Sequence, residues 1–199
     1  MKQYRYLLLA CFLSLFSITY THNVLAYDVL ELDIKTQKKT ETVRIKLLAG
    51  EGFAPKHVER IKQLTQDGAY NNMAIHRAIP GFMVQMGDVK FGKKDNYDAA
   101  RVGTGGSKYA NLYLEPSTQP FEAGIVGMAR GRYVHSANSQ FFIMTGFHPN
   151  LNGAYSVVGV VLEGLDFLKT VKMGDRNVQG GKVKDPDYII EARIIEGES

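Results

Sequence analysis

Apolar and polar residues alternate twice early in the chain. Leu30, Leu32 and Ile34 oppose Glu31 and Asp33, and then Val43, Ile45 and Leu47 oppose Arg44 and Lys46. A period of two predicts strands. The polar link 35–40 predicts a hairpin with one buried and one wet face. The period then changes: Val58, Ile61 and Leu64 recur at helical spacing over 55–67, with Lys56, Glu59, Lys62 and Gln63 outside. Pro55 suits a first helical turn and Gly68 the position just past the end. Alternation returns over 73–79, with Ile75, Arg77 and Ile79 on one side and Ala74, His76 and Ala78 on the other. Pro80-Gly81 breaks that run, since proline lacks a ladder N–H, and a second strand is expected over 82–86.

Residues 88–120 show little periodicity and predict long loops. Strands are expected again over 122–129, 140–145, 155–161 and 188–196. A short helix is expected over 165–173, with Leu165, Leu168 and Val171 inward and Gly174 ending it. No internal repeat, low-complexity tract or linker divides this stretch. Strands dominate, so an all-β barrel with two helices is predicted, closure being the arrangement that removes free edges.

The first 26 residues read differently. Lys2 and Arg5 precede an apolar run from Leu7 to Ile18, and Val24-Leu-Ala26 ends in small or modest residues. That order predicts a secretory signal peptide, 1–26, cleaved to leave a single domain, 27–199. A permanent anchor is the competing reading, but the apolar run falls short of the ~20 residues needed to span. Leu8-Leu-Ala-Cys11 faintly resembles a lipoprotein processing site, yet cleavage there would leave the apolar run downstream. The expected location is therefore outside the cytoplasm, the periplasm first and secretion second, with no stable membrane association after cleavage.

Composition narrows the chemistry. The chain carries 24 basic and 20 acidic residues, and Lys2 and Arg5 fall in the leader, leaving 22 against 20. So small an excess, with no basic stripe interleaved with aromatics, gives no argument for nucleic acid. Cys11 is the only cysteine. A chain cleaved near Ala26 has no disulfide, thiol nucleophile or cysteine metal site. His57, His76, His135 and His148 lack metal-ligand spacing, so no metal or other cofactor is expected. No Gly-x-Ser-x-Gly elbow exists, and Gly103-Thr-Gly-Gly106 lacks the following Lys-Ser/Thr of a P-loop. Ser139 and His76 read as framework, a locally bonded or exposed hydroxyl and a histidine buried between strands. Between Arg77 and Gln85 lie one cation, one amide and large apolar side chains, the mixture that handles a neutral, partly apolar group.

The segment Ile75-His-Arg-Ala-Ile-Pro-Gly-Phe-Met-Val-Gln-Met-Gly-Asp88 resembles the cyclophilin signature. So do Gly127-Met-Ala-Arg130 with Ser136-Ala-Asn-Ser-Gln-Phe-Phe-Ile143, Gly103-Thr-Gly-Gly106, and Val158 to Asp166. The resemblance runs over roughly 28–195. It implies a closed eight-stranded antiparallel barrel with a helix capping each end. It implies a peptidyl-prolyl cis–trans isomerase, acting without cofactor on proline-containing peptides and unfolded proteins. Arg77 matches the catalytic cation. Phe82, Met83, Phe142 and Leu151 match the proline pocket, which would otherwise read as core. Gln85 and Gln140 match groups that bind the substrate backbone and orient the arginine. Ala129 and Arg130 match a segment that contacts the peptide through its backbone, though the family commonly has Asn at Arg130. Tyr155 stands where a pocket His is usual. Asn150 stands where many members have Trp, so weak cyclosporin binding is expected. A monomer is expected. A proline-peptide binding module or holdase on the same barrel is the alternative. A barrel carrying a small ligand inside is disfavoured, because large inward residues fill eight strands.

Overall fold

The computed structural model describes residues 26–198. Nine strands form one antiparallel sheet: β1 (Tyr27–Lys35), β2 (Thr40–Leu47), β3 (Met73–Ala74), β4 (Arg77–Ile79), β5 (Met83–Met86), β6 (Ile125–Met128), β7 (Phe141–Met144), β8 (Val157–Glu163) and β9 (Tyr188–Glu198). Their order is β3-β9-β1-β2-β8-β6-β7-β5-β4. The expected hairpin is β1–β2, paired from Val29↔Lys46 to Lys35↔Thr40.

The expectation of eight strands is corrected to nine. The alternating run 73–79 is one strand in pattern but two in pairing: Met73 and Ala74 pair with β9, and Arg77 to Ile79 pair with β5. Residues 73–76 are all buried, so alternation there does not separate a wet face from a dry one. The switch of partner falls at Ile75 and His76. The Ile75 N–H donates to Asp187 O at 2.9 Å, and His76 O accepts from the Val183 N–H at 2.9 Å. The ladder thus has two ends, β3 and β4, joined through two residues of chain.

Helix α1 (Pro55–Gln66) buries Val58, Ile61 and Leu64 as its spacing predicts, and packs against β9 and β8. Its N-cap, Ala54, offers no side-chain oxygen. Glu115, from a distant loop, substitutes: its Oε2 accepts the Lys56 and His57 N–H groups at 3.1 and 3.3 Å. Free N–H groups at a helix start favour such an anion. Gly68, with φ 65°, follows the end of the helix as expected. Helix α2 (Leu165–Leu168) is shorter than the expected 165–173, and Leu165 is only partly buried, whereas Leu168 and Val171 are buried. Beyond Leu168 the chain continues as a turn, with Thr170 N–H donating to Phe167 O at 2.8 Å.

The sheet has two apolar faces along β4, β5, β7 and β6. Ala78, Val84, Met86, Phe141, Ile143, Val126 and Met128 point into the main core with Leu30, Leu32, Ile45 and Ile61. Their alternates, Ile79, Met83, Phe142, Met144 and Ile125, form a second cluster with Phe121, Leu151 and Val157. Successive strand residues face opposite sides, so a doubly buried strand reads as continuously apolar. Among the described residues no helix is long and apolar enough to cross a membrane.

Candidate functional site

The outer face of these four strands is laid out by register. Arg77 stands opposite Gln85, Gln85 opposite Phe142, and Phe142 opposite Gly127. One row across four strands therefore presents a cation, an amide, an aromatic ring and a gap. The neighbouring row holds Ile79, Met83 and Met144. The gap at Gly127 admits Phe121, whose ring stacks on Phe142 at 5.6 Å between centroids. Tyr155 meets Phe142 edge-on at 5.5 Å.

A pocket of about 120 Å³ opens on this face, lined by Arg77, Phe82, Met83, Gln85, Ala129, Arg130, Phe142, Leu151 and Tyr155. Every site residue expected from the sequence is among them except Gln140. Gln140 lines an adjoining groove of about 590 Å³, which shares Gln85, Ala129 and Arg130 with the pocket. It also completes a chain of amides: Gln85 Nε2 donates to Gln140 Oε1 at 2.9 Å, and Gln140 Nε2 donates to Gly105 O at 2.8 Å. That chain fixes which end of Gln85 faces the arginine.

Arg77 is half-buried and held by two oxygen acceptors, with Met83 Sδ 3.8 Å from Nη1. Its Nε donates to Gly180 O at 2.7 Å, and its Nη1 donates to Gln85 Oε1 at 3.1 Å. Among the described residues no carboxylate pairs with it. Burial pulls its pKa below the usual arginine value, Tyr155 opposes that, and the like charge of Arg176 adds to it. Arginine stays cationic nonetheless, so an unneutralised charge is held beside apolar walls. Nη2 has no protein partner among the described residues and is free for a substrate acceptor.

The sequence did not point to the loop that holds this arginine. Gln179, Gly180 and Gly181 all take positive φ (52°, 64° and 87°), and Gly180 turns its carbonyl to Arg77. The loop also carries Arg176, whose Cζ lies 5.1 Å from the Phe82 ring centroid. The His148 ring also lies against Phe82, tilted at 58° with centroids 4.5 Å apart, and its Nε2 lies 3.0 Å from Gly81 O. Phe121 was missed too, falling between the aperiodic 88–120 and the strand expected from 122.

The two residues read as framework behave so. His76 is 2% exposed, and burial pushes its imidazole down to about 4, so it is neutral near pH 7. Ser139 is buried, and its hydroxyl donates to Gly87 O at 2.7 Å. Among the described residues no group of three or more His, Asp or Glu side chains is placed to hold a metal ion.

The sequence model described as "Cyclophilin type peptidyl-prolyl cis-trans isomerase/CLD" matches residues 31–194. A "Probable peptidyl-prolyl cis-trans isomerase" of Brucella abortus (strain 2308) is 57% identical over 143 residues, covering 71% of this chain and 72% of that one. "Peptidyl-prolyl cis-trans isomerase B" of Bacillus subtilis (strain 168) is 36% identical over 123 residues, covering 61% and 78%. Among solved structures, a cyclophilin-type isomerase of Cryptosporidium parvum, determined in the presence of the dipeptide Ala-Pro, aligns with a TM-score of 0.67. It is 24% identical, covering 86% of this chain and 99% of that one. A cyclophilin of Hirschia baltica aligns with a TM-score of 0.63, also at 24% identity, covering 83% and 73%. These structures speak for the fold, while the sequence relatives carry the family. The chain belongs to the cyclophilin-type peptidyl-prolyl cis–trans isomerases, enzymes that accelerate rotation about the peptide bond preceding proline.

Proposed function

We propose that the pocket behind Arg77 grips the proline ring of an extended or unfolded chain while Arg77 lowers the barrier to rotation. That barrier, ~18–20 kcal/mol, comes from resonance of the C–N bond. In the twisted state the nitrogen lone pair is released from the carbonyl and becomes an acceptor. A guanidinium donor beside it gains more there than in the planar state, which is the condition for catalysis. Nothing need be transferred, so the chemistry asks only for a fixed cation, apolar walls and backbone anchors. The observation that carries the assignment is the placement of Arg77. It is tied by Gly180 O and Gln85 Oε1 with Nη2 left over, on the rim of a pocket walled by Phe82, Met83, Phe142, Leu151 and Tyr155. Gln85 and Gln140 position the arginine and the substrate backbone, and Ala129 and Arg130 lie along the peptide path.

Arg77→Ala tests this. Loss of a charge-assisted contact that strengthens in the twisted state costs about 2–4 kcal/mol, or roughly 10²–10³ in rate. Binding of the peptide falls much less, because the apolar pocket remains. Arg77→Lys rescues little, since a point charge cannot both span to Gly180 and Gln85 and present a free amino group. Near-normal exchange of an X-Pro peptide by Arg77→Ala, at an unchanged melting temperature, would remove Arg77 from the mechanism and favour a binding module.

Residues 1–25 of the leader lie outside the described residues. Its charged, apolar, then small-residue order supports export, with a folding role toward other exported chains in the periplasm. The enzyme acts as a monomer, and the curled sheet serves as the barrel, closed through the covalent step from β3 to β4. Intact-mass measurement of the exported protein checks the leader: a chain beginning at Tyr27 is expected, and retained Met1 in a membrane fraction would make the leader an anchor.

A further inference from the structure

We infer that this site selects proline segments with acidic residues beside the proline, and that Arg130 and Arg176 recognise them. The inference rests on the proposal that the Arg77 pocket is the proline site. Three guanidinium groups gather there. Arg77 lines the pocket, Arg130 lies with its Cζ 4.6 Å from the Tyr155 ring centroid, and Arg176 with its Cζ 5.1 Å from that of Phe82. The outer two are laid on aromatic walls instead of being paired with acids. Arg130 donates only to carbonyls, from Nε to Ala154 O and from Nη1 to Gly131 O, both at 3.2 Å. Among the described residues neither Arg130 nor Arg176 joins a salt bridge. Of the other described arginines, Arg44, Arg101 and Arg193 each hold at least one carboxylate, whereas Arg60 donates to carbonyls over the Tyr109 ring and Arg132 joins no salt bridge.

The counter-charge is missing from the cavity as well. No Asp or Glu lines the pocket or the adjoining groove. The closest acid in sequence, Asp175, uses its Oδ1 to accept the Asn177 N–H at 2.8 Å. Outside the leader the chain is nearly balanced, with 22 basic and 20 acidic residues. The positive field at the site therefore comes from placement and not from overall charge. Arg130 lines both the pocket and the groove, so a chain leaving the pocket along the groove passes it. Arg176 stands by Phe82, another residue lining the pocket. Guanidinium groups backed by aromatic rings are less hydrated than free ones and suited to carboxylates. Exposed ion pairs of this kind are modest, so one acidic neighbour is expected to raise kcat/KM about two- to fivefold.

The test uses the mature protein and peptides with a central Ala-Pro, flanked on either side by Glu, Gln or Lys. Exchange rates and dissociation constants are measured by NMR at low and high salt, for the unmodified sequence, Arg130→Gln, Arg176→Gln and the double variant. Glu peptides are expected to exchange faster and bind with smaller dissociation constants than Gln peptides, and Lys peptides to do the reverse. The Glu/Gln ratio should move toward one in the double variant, and at high salt as the screening length shrinks from ~10 Å at 0.1 M to ~3 Å at 1 M. Catalysis with equal Glu and Gln values would overturn the inference and leave the isomerase proposal standing. Arginine-dependent tighter binding of Glu peptides without catalysis would uphold the inference and sink that proposal. A Glu preference that survives the double variant overturns the assignment of Arg130 and Arg176.

Discussion

Gly127→Ala tests how the pocket is shaped. Gly127 stands opposite Phe142, and a Cβ built there would lie 2.5 Å from Phe142 Cζ and 2.7 Å from Phe121 Cε1. Carbon atoms pack at about 3.5–4.0 Å, so a ring must retreat by roughly 1 Å. Phe121 is 0% exposed and stacked in the second cluster. Phe142 has an open side, and that side is the 120 Å³ pocket. Its retreat removes room for the proline ring. Losing contact equivalent to one or two CH₂ groups costs ~0.8–1.6 kcal/mol, a fall of roughly four- to fifteenfold in kcat/KM. Overpacking also costs stability, about 1–3 kcal/mol, which at roughly 2–4 °C per kcal/mol lowers Tm by several degrees. The assay is exchange of an X-Pro peptide beside thermal melting. Phe142→Leu added to Gly127→Ala should recover part of the melting temperature, giving a coupling between the two positions. A lowered Tm with kcat/KM within twofold of the parent would show that the strain is relieved elsewhere, and that Gly127 does not set the pocket.

Stability should depend on pH through His76. Burial holds its folded pKa at about 4 against an ordinary 6.5, so between those values the unfolded chain binds more protons. Stability is full above about pH 6.5 and is lost as pH falls toward 4, by up to ~1.4 kcal/mol per unit; His57, also depressed by burial, adds the same sign. Urea midpoints from pH 7.5 to 4.5 check this: His76→Gln should show the shallower fall, and a flat parent profile would contradict the argument. Asn150 is exposed beside Leu151 at the pocket rim. Asn150→Trp should tighten cyclosporin binding about tenfold, since a partly covered indole face contributes ~25 cal/mol per Å²; equal dissociation constants for the two proteins would refute it.

The candidate site was legible in the sequence mainly through the resemblance of its motifs, since only Arg77, Met83, Gln85 and Phe142 of its residues lie on strands where alternation reports orientation. The resemblance named Arg77, Met83, Gln85 and Phe142; period two relates only Met83 to Gln85, and the register of three strands sets all four side by side. Alternation does not report which strand a residue pairs with. It therefore could not show that 73–79 changes partners midway, turning eight expected strands into nine. Helical spacing likewise overran α2, since Val171 is buried from a turn as well as it would be from a helix. Gly180 and Arg176 lie about a hundred residues from Arg77, in a loop governed by backbone conformation. Only the folded chain brings that carbonyl and that charge to the site.

The sheet order has a consequence for how the molecule comes to exist. β9, residues 188–198, lies between β3 and β1, and it is the last strand along the chain. Without it β3 keeps only its bridge to the 92–94 loop, β1 is a bare edge, and Asn72 to Ile75 lose the backbone partners at Ile190, Ile189, Tyr188 and Asp187 that lead the chain into Arg77. A ribosome or translocation pore releases the amino-terminal side first. Until residues 188–198 are free to pair, the chain has exposed strand edges and an unset Arg77. Closing a contact between the first and last strands is slow in itself, because it joins the most distant segments. A chain built in this order completes its sheet only once β9 is available to pair.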